Sequence, residues 1–283
     1  MQPLIEHSTR AAGCPTRVLE LEGDGPGLVL LHGWGDSADT WRPLLAWLGE
    51  RDRRAIAVDL PGYGHAGSLD AGPVLPQLDG FVAEVVAAWG GPVVLVGNSL
   101  GGLLALRAAA AGLGEVAGIV PVAPAGLEMP RWFDVIERDP IVRRLLALPL
   151  PVPAPVTAPL VGAVYRRLAF SSPAAADGAL VASFAGHHPG RAGVARLLGS
   201  GRRLLPELQA PPDGLASIAC PVRLVWGTRD RMVPHSGAAV VADALPAAEV
   251  VLLDGVGHCP QLEATERLGE LLLDFAGAVA RAA

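Results

Sequence analysis

The sequence contains no lysine, so all 22 basic side chains are arginine, and aromatic residues make up only 5% of the chain. Together with abundant alanine and glycine, this usage is typical of a GC-rich bacterial genome. Cysteine is scarce too, with only Cys14, Cys220 and Cys259. Their odd number and irregular spacing argue against a disulfide framework and provide no metal-binding pattern. We therefore expect neither a metal nor another cofactor.

A basic surface and a long apolar run are missing as well. The formal net charge is −6, and no basic stripe is interleaved with aromatic residues, so nucleic-acid binding is not expected. Residues 1–7 show no basic region followed by an apolar core, and no segment is a clean membrane-spanning run of about twenty residues. We expect a soluble cytoplasmic protein without stable membrane insertion.

Short apolar runs alternate with helix-forming stretches along most of the chain. The predicted strands are residues 28–31, 55–59, 93–96, 118–122, 222–226 and 249–253, and the predicted final helix is residues 261–280. This alternation is typical of βαβ units, and hence of a parallel sheet covered by helices. The 283 residues suit one catalytic domain with a smaller inserted unit.

The alternation breaks between residues 125 and 217. Residues 149–155 hold too many prolines for a strand or an unbroken helix. Predicted helical stretches in this segment are residues 136–148 and 161–169. So many apolar residues would be costly to leave in water, which favours a packed cap over a flexible linker. The predicted domains are a core of residues 1–124 and 218–283 and a cap of residues 125–217.

The segment Gly-Asn-Ser-Leu-Gly-Gly at residues 97–102 follows an apolar strand and precedes a helix-forming run. Gly97 and Gly101 flank Ser99 two positions away on either side, where a Cβ would clash as the chain reverses. The hydroxyl would then lie at a helix N-terminus, where free N–H groups favour negative charge. The pattern predicts a nucleophilic Ser99 with Leu100 N–H as an oxyanion donor. A serine that merely caps the helix is the alternative.

An acid and a base follow in the order Ser, Asp, His, each in a loop after a late predicted strand. Asp230 is the candidate acid and His258 the candidate base. The histidine would take the serine proton and pass it to the leaving group, while the aspartate orients the imidazole. Asp254 is the alternative acid, but it lies only four residues from His258 and would share its loop.

A second oxyanion donor is expected after the apolar strand at residues 28–31. The loop His-Gly-Trp-Gly-Asp at residues 32–36 is flexible enough to aim the backbone N–H of Trp34 at a substrate oxygen. We expect His32 to bind the loop backbone rather than a substrate. Trp41 is expected to anchor the next helix in the core.

Taken together, these segments resemble the α/β-hydrolase superfamily. The resemblance rests on five motifs in the family order, namely residues 32–35, 59–64, 97–102, 227–234 and 257–260. It implies a mostly parallel, doubly wound sheet with helices on both faces and a mainly helical cap inserted after the sixth strand. It also implies a serine-nucleophile branch, because Ser99 stands where dehalogenases and epoxide hydrolases carry an aspartate.

The reaction expected from this resemblance is acyl transfer. Ser99 would attack a carbonyl, Trp34 and Leu100 would hold the oxyanion, and His258 would protonate the leaving group. Cleavage of a carboxylic ester of a small to medium apolar substrate is the first prediction. Carbon–carbon bond hydrolysis of vinylogous diketones, thioester hydrolysis and cofactor-free haloperoxidase or perhydrolase activity are alternatives from the same chemistry. A non-catalytic ligand receptor is the alternative from another class.

Paired basic residues in the predicted cap are the remaining candidates. These pairs are Arg143–Arg144, Arg166–Arg167, Arg202–Arg203 and His187–His188. An arginine pair that faced the pocket would favour a carboxylate-bearing or CoA-linked substrate, although such pairs more often form the solvated face of a helix. The histidine pair has too few neighbouring ligands for a metal, so we expect a solvated turn. Acyl chain length and oligomeric state stay open.

Overall fold

The computed structural model describes residues 2–128, 154–209 and 211–282. Eight strands within these residues form one sheet. They are β1 (Ile5–Ala11), β2 (Cys14–Leu21), β3 (Asp24–Leu31), β4 (Arg53–Val58), β5 (Val93–Asn98), β6 (Val116–Val122), β7 (Arg223–Gly227) and β8 (Glu249–Leu253). The helices are α1 (Arg42–Gly49), α2 (Leu75–Trp89), α3 (Leu100–Ala110), α4 (Ala154–Ala169), α5 (Gly178–Gly186), α6 (Gly190–Leu204), α7 (Ala238–Ala244), α8 (Pro260–Glu263) and α9 (Thr265–Ala282).

The sheet is mostly parallel and has the strand order β1-β2-β4-β3-β5-β6-β7-β8. Only the pairs β1/β2 and β2/β4 are antiparallel. The predicted fold class is therefore confirmed, and each of the six predicted strands is present. Strands β1 and β2, which extend one edge of the sheet, were not predicted from the sequence.

Both faces of the sheet are covered by helices, and alternation along the strands assigns each side chain to one face. On β3, Val29 and Leu31 pack with α2 and α3, whereas Leu28 and Leu30 pack with α1 and α9. Because both faces are buried, β3 and β5 read as continuous apolar runs. The expected anchor Trp41 is fully buried against this second face.

Helices α4, α5 and α6, called the inserted helices below, lie between β6 and β7 in the chain. They pack around an apolar cluster of Tyr165, Phe170, Val181 and Phe184, which also includes Cys259 from the core. The predicted helix at residues 161–169 is present as part of the longer α4. The predicted helix at residues 136–148, the pair Arg143–Arg144 and residues 149–153 of the proline-rich run lie outside the described residues.

Parallel strands end at the same edge of the sheet, so the loops that follow them lie together. The predicted site residues all follow such ends: Trp34 after β3, Ser99 after β5, Asp230 after β7 and His258 after β8. The topology therefore gathers at one edge residues that are far apart in sequence.

Candidate active site

Ser99 lies on a strained turn between β5 and α3. Its backbone has φ 55° and ψ −112°, a conformation that non-glycine residues rarely adopt. A Cβ on Gly97 would lie 2.1 Å from the carbonyl carbon of Gly101, and a Cβ on Gly101 would lie 2.2 Å from Leu31 O. Both glycines are thus required by backbone packing, as the sequence predicted.

The hydroxyl of Ser99 does not cap the helix that it precedes. The residue occupies the N-cap position of α3, yet its side chain accepts no hydrogen bond from that helix. Its backbone is held instead, because Ser99 N donates to Val122 O at 2.9 Å. A buried serine kept at a strained turn without a capping role fits the nucleophile hypothesis better than the capping alternative.

Asp230 and His258 meet directly. His258 Nδ1 lies 2.7 Å from Asp230 Oδ2, and both side chains are buried. Asp230 also accepts hydrogen bonds from Trp226 Nε1 at 3.1 Å and from the backbone N–H groups of Met232 and Val233. A carboxylate fixed by so many donors can orient an imidazole and stabilise its protonated form.

The alternative acid, Asp254, is engaged elsewhere. Its Oδ1 accepts a hydrogen bond from Thr228 Oγ1 at 3.1 Å, at the end of β8. The structure therefore brings Asp230, and not Asp254, to the candidate base.

Asn98 connects the turn of Ser99 to the loop of His258. Its Nδ2 donates to His258 O at 2.9 Å, and its Oδ1 accepts from Gln261 Nε2 at 3.3 Å. This role of Asn98 was not predicted from the sequence. A polar residue at the end of an otherwise apolar strand was the available signal.

Glu263 holds the other side of the histidine loop. Its Oε1 accepts from Gly257 N at 2.9 Å, and its Oε2 accepts from both the backbone N–H and the hydroxyl of Ser171, just beyond α4. His258 N itself donates to Ala169 O at 2.8 Å. The histidine loop is thus attached to the end of α4, the first inserted helix. No local sequence motif predicted this contact.

The loop after β3 packs against Ser99, since a Cβ on Gly33 would lie 3.3 Å from Ser99 Cβ. His32 is fully buried and organises this loop. Leu60 N donates to its Nε2 at 2.9 Å, so the neutral ring carries its proton on Nδ1, which donates to Gly33 O at 2.8 Å. Burial lowers the pKa of His32 to about 4, which keeps the ring neutral. The expected backbone role of His32 is confirmed.

The Gly33 carbonyl determines the direction of the neighbouring N–H. In a trans peptide the C=O of Gly33 and the N–H of Trp34 point in opposite directions. Gly33 O accepts from His32 and from Asp36 N. Among hydrogen bonds within the described residues, the N–H groups of Trp34 and Leu100 donate none. Trp34 follows Gly33, which adjoins Ser99, and Leu100 follows Ser99 directly, so both N–H groups belong to loops next to the candidate nucleophile.

The pair His187–His188 corrects one expectation, because it does not form a solvated turn. His188 is buried and hydrogen-bonds to the backbone of the loop after β3, while His187 Nε2 lies 3.6 Å from Asp39 Oδ2. The two imidazole rings face the core, although Gly186 and Pro189 beside them are exposed.

A small cavity of about 10 Å³ lies between the loop after β3 and the inserted helices. Its lining includes Asp36, Asp39 and Tyr165. Burial raises the pKa of Asp36 to about 6. Burial opposes the ionisation of Asp39 too, but the nearby His187 ring and the hydrogen bonds from Arg17 and Arg42 outweigh it and lower its pKa. The cavity therefore has two carboxyl groups with different acidities.

Three of the four described paired arginines lie on the surface or bind a surface loop. Arg167 and Arg202 are exposed, and Arg203 donates to the backbone oxygens of Asp70 and Gly72 in the exposed loop before α2. Cys259, beside His258, is buried, and burial raises the pKa of its thiol well above the ordinary value.

No group of three potential metal ligands occurs in the described residues. Among these residues, no helix combines the length and apolarity needed to cross a bilayer.

Comparison with known proteins shows the family to which the chain is similar. A model described as "Alpha/beta hydrolase family" matches residues 28–271. A pimeloyl-[acyl-carrier protein] methyl ester esterase of Xanthomonas oryzae pv. oryzae (strain MAFF 311018) is 31% identical over 278 residues, covering 92% of this chain and 99% of the relative.

Two solved structures are similar over nearly the whole chain. A bacterial membrane phospholipase A, described as a virulence factor, superposes with a TM-score of 0.81 at 26% identity and covers 98% of this chain and 87% of its own. The 2-hydroxy-6-oxo-6-phenylhexa-2,4-dienoate hydrolase from Rhodococcus sp. strain RHA1 superposes with a TM-score of 0.75 at 25% identity, covering 97% and 99%.

Proposed function

Because the chain belongs to the α/β-hydrolase family, we propose that it is a serine esterase that cleaves a carboxylic ester through an acyl-enzyme on Ser99. The observation that carries this proposal is the buried Asp230–His258 pair, 2.7 Å apart, at the sheet edge where Ser99 occupies a strained turn. Esterase-type hydrolysis is also supported by the curated relatives.

The proposed reaction has two halves. His258 Nε2 takes the proton of Ser99 Oγ as this oxygen attacks the ester carbonyl, and the N–H groups of Trp34 and Leu100 hold the resulting oxyanion. The imidazolium, held by Asp230, then gives its proton to the departing alkoxide. In the second half, His258 deprotonates a water that attacks the acyl-enzyme, and the carboxylic acid leaves as Ser99 regains its proton.

A small to medium apolar ester is the proposed substrate class, with residues 125–217 as the cap over it. The name of the Xanthomonas relative suggests one refinement, a methyl ester whose acyl chain is attached to a carrier protein. The charge of the inserted helices supports it: residues 154–209 hold six arginines against one aspartate and one glutamate, although the whole chain is acidic. Arg191, Arg196 and Arg202 on α6 are exposed and available to an anionic carrier.

The test is hydrolysis of p-nitrophenyl esters from acetyl to palmitoyl, with fluorophosphonate labelling of the same samples. Ser99→Ala should lose both label and turnover. Asp230→Asn should lose roughly 10³-fold or more in kcat. Asp254→Asn, the matched control acid, should stay within about threefold of wild type because Asp254 accepts its hydrogen bond from Thr228 at the strand end and not from His258. Failure of the wild-type protein to react with the fluorophosphonate would contradict the proposal.

A second comparison tests the refinement. A methyl ester attached to an acyl carrier should be cleaved with higher kcat/KM than the same free methyl ester, and the advantage should shrink with added salt. Equal rates on both substrates would leave the esterase proposal standing and reject the carrier. Labelled Ser99 with negligible ester turnover would direct the search to diketone and thioester substrates.

A further inference from the structure

The inserted helices contact the loop that carries one proposed oxyanion donor. His188, between α5 and α6, has its Nε2 2.7 Å from Gly35 O. A carbonyl oxygen can only accept, so Nε2 carries a proton and donates. His188 is buried, which limits competition from water for this hydrogen bond.

Two further contacts surround the same hydrogen bond. Gly35 has φ +74°, and a Cβ there would lie 2.6 Å from Leu197 Cδ1 on α6. The neighbouring Trp34 donates its indole Nε1 to Ser200 Oγ at 3.1 Å, and Ser200 Oγ donates in turn to Leu197 O at 2.8 Å. Helix α6 thus lies directly on Trp34 and Gly35.

His188 is itself rigidly placed. A Cβ on Gly193 would lie 2.4 Å from His188 C, so α6 begins in close contact with the histidine backbone. Its ring packs edge-on against Phe184 with centroids 5.2 Å apart, and Phe184 stacks on Tyr165 at 3.8 Å. An aromatic column therefore connects α4 and α5 to the residue that holds Gly35.

We propose that His188 is a positioning residue for the oxyanion loop, supplied by the inserted helices. This inference rests on the esterase function proposed above. His32 fixes Gly33 O from the core and His188 fixes Gly35 O from the inserted helices, so the Trp34 N–H between them is held in one direction. The oxyanion site is then complete only while the inserted helices pack on the core.

Two amide substitutions separate hydrogen bonding from packing. In His188→Gln the side-chain nitrogen is the same number of bonds from Cβ as Nε2 and can still donate to Gly35 O. In His188→Asn the nitrogen corresponds to Nδ1 and does not reach. His187→Asn makes the same change one residue earlier, where the ring faces Asp39.

The measurements are kcat and KM for a p-nitrophenyl ester and the rate of fluorophosphonate labelling at Ser99. His188→Asn should lower kcat and the labelling rate about tenfold or more, with KM changed less than about threefold, because only transition-state stabilisation is weakened. His188→Gln and His187→Asn should remain within about threefold of wild type. Thermal unfolding of each variant identifies any folding defect.

Ser200→Ala is a second, milder variant, because it removes the indole contact of Trp34 without touching His188. A two- to fivefold fall in kcat at unchanged KM is expected. Wild-type rates in both His188→Asn and Ser200→Ala overturn the proposal, as does equal loss in His188→Gln and His188→Asn. Failure of the wild type to label at Ser99 instead rejects the esterase function and this inference with it.

Discussion

His32 is the residue whose surroundings permit one protonation state and one tautomer. Its ring is fully buried, accepts from Leu60 N and donates to Gly33 O. The sequence predicted a backbone role from position alone, at the end of a buried strand. The tautomer could not be predicted, because it depends on an N–H that lies 28 residues further along the chain.

The pKa of His32 predicts an acid-sensitive contribution to stability. Burial lowers this pKa to about 4, whereas an unfolded histidine titrates near 6.5. The unfolded state therefore binds the proton first, and stability is lost as the pH falls from about 6.5 toward 4. By linkage, this one residue should reduce the free energy of unfolding by about 2 kcal/mol between pH 7.5 and pH 4.5.

Urea unfolding at the two pH values checks this prediction. His32→Gln should lose about 2 kcal/mol less than wild type over the interval, because glutamine cannot titrate. His7→Gln, which removes an exposed histidine from β1, is the matched control and should follow the wild type. If the unfolding free energies of His32→Gln and wild type depended on pH in the same way, His32 would not be held neutral in the folded state as predicted.

The burial of His188, and the contact of His187 with Asp39, were not predicted from the sequence. Two adjacent polar residues in a predicted cap led us to expect a solvated turn. Their partners instead belong to the segment after β3, about 150 positions earlier in the chain. Burial of a polar side chain depends on its partner, and the identity of that partner is a tertiary fact.

At the scale of single elements, the turn around Ser99 was predictable in part because one of its constraints is local. A Cβ on Gly97 would meet Gly101 and Gly102 of the same turn, whereas a Cβ on Gly101 would meet Leu31 and His32 from the end of β3. By contrast, β1 carries mostly exposed residues, so it lacks the apolar run by which buried strands are recognised. Its pairing with β2 depends on register rather than on composition.

Strand β2 carries a buried ion-pair network that predicts a large effect on stability. Arg17 is almost fully buried and contacts Asp59 through Nε at 2.9 Å and Asp39 through Nη2 at 2.9 Å. Removing it would leave Asp59 charged and buried without its cation. Arg17→Leu should therefore lower the free energy of unfolding by about 3 kcal/mol.

Arg42 provides the matched control, since it reaches the same Asp39 from the surface with 41% of its side chain exposed. Exposed ion pairs contribute little, so Arg42→Leu should cost less than about 1 kcal/mol. Both values come from urea unfolding at pH 7.5. An equal loss of unfolding free energy in the two variants would show that the contribution of Arg17 to stability does not depend on its burial.

At the scale of the molecule, the site depends on links between distant segments. Asn98 ties the serine turn to the histidine loop, and Glu263 ties that loop to the end of α4. The motifs predicted which loops carry the candidate residues, because each motif is local. They could not predict these cross-links, which form between segments 92 to 160 positions apart.

Glu263→Gln tests whether the inserted helices and the histidine loop act together. The amide retains one acceptor oxygen where the carboxylate offers two, so either Gly257 N or Ser171 loses its partner. We expect kcat to fall about three- to tenfold, with faster hydrogen exchange at both backbone positions. Glu266→Gln, an exposed neighbour at the start of α9, should leave both measurements unchanged. Faster exchange at one position alone would argue against coupling.

The strand order has a consequence for the time course of folding. Local helices and neighbouring strands can form early, but the edge that joins Trp34, Ser99, Asp230 and His258 requires closure of very long loops. Refolding chains should therefore regain helical structure well before they gain a reactive serine. Hydrolytic activity should therefore return last, after β7 and β8 have joined the sheet and brought Asp230 and His258 to the serine turn.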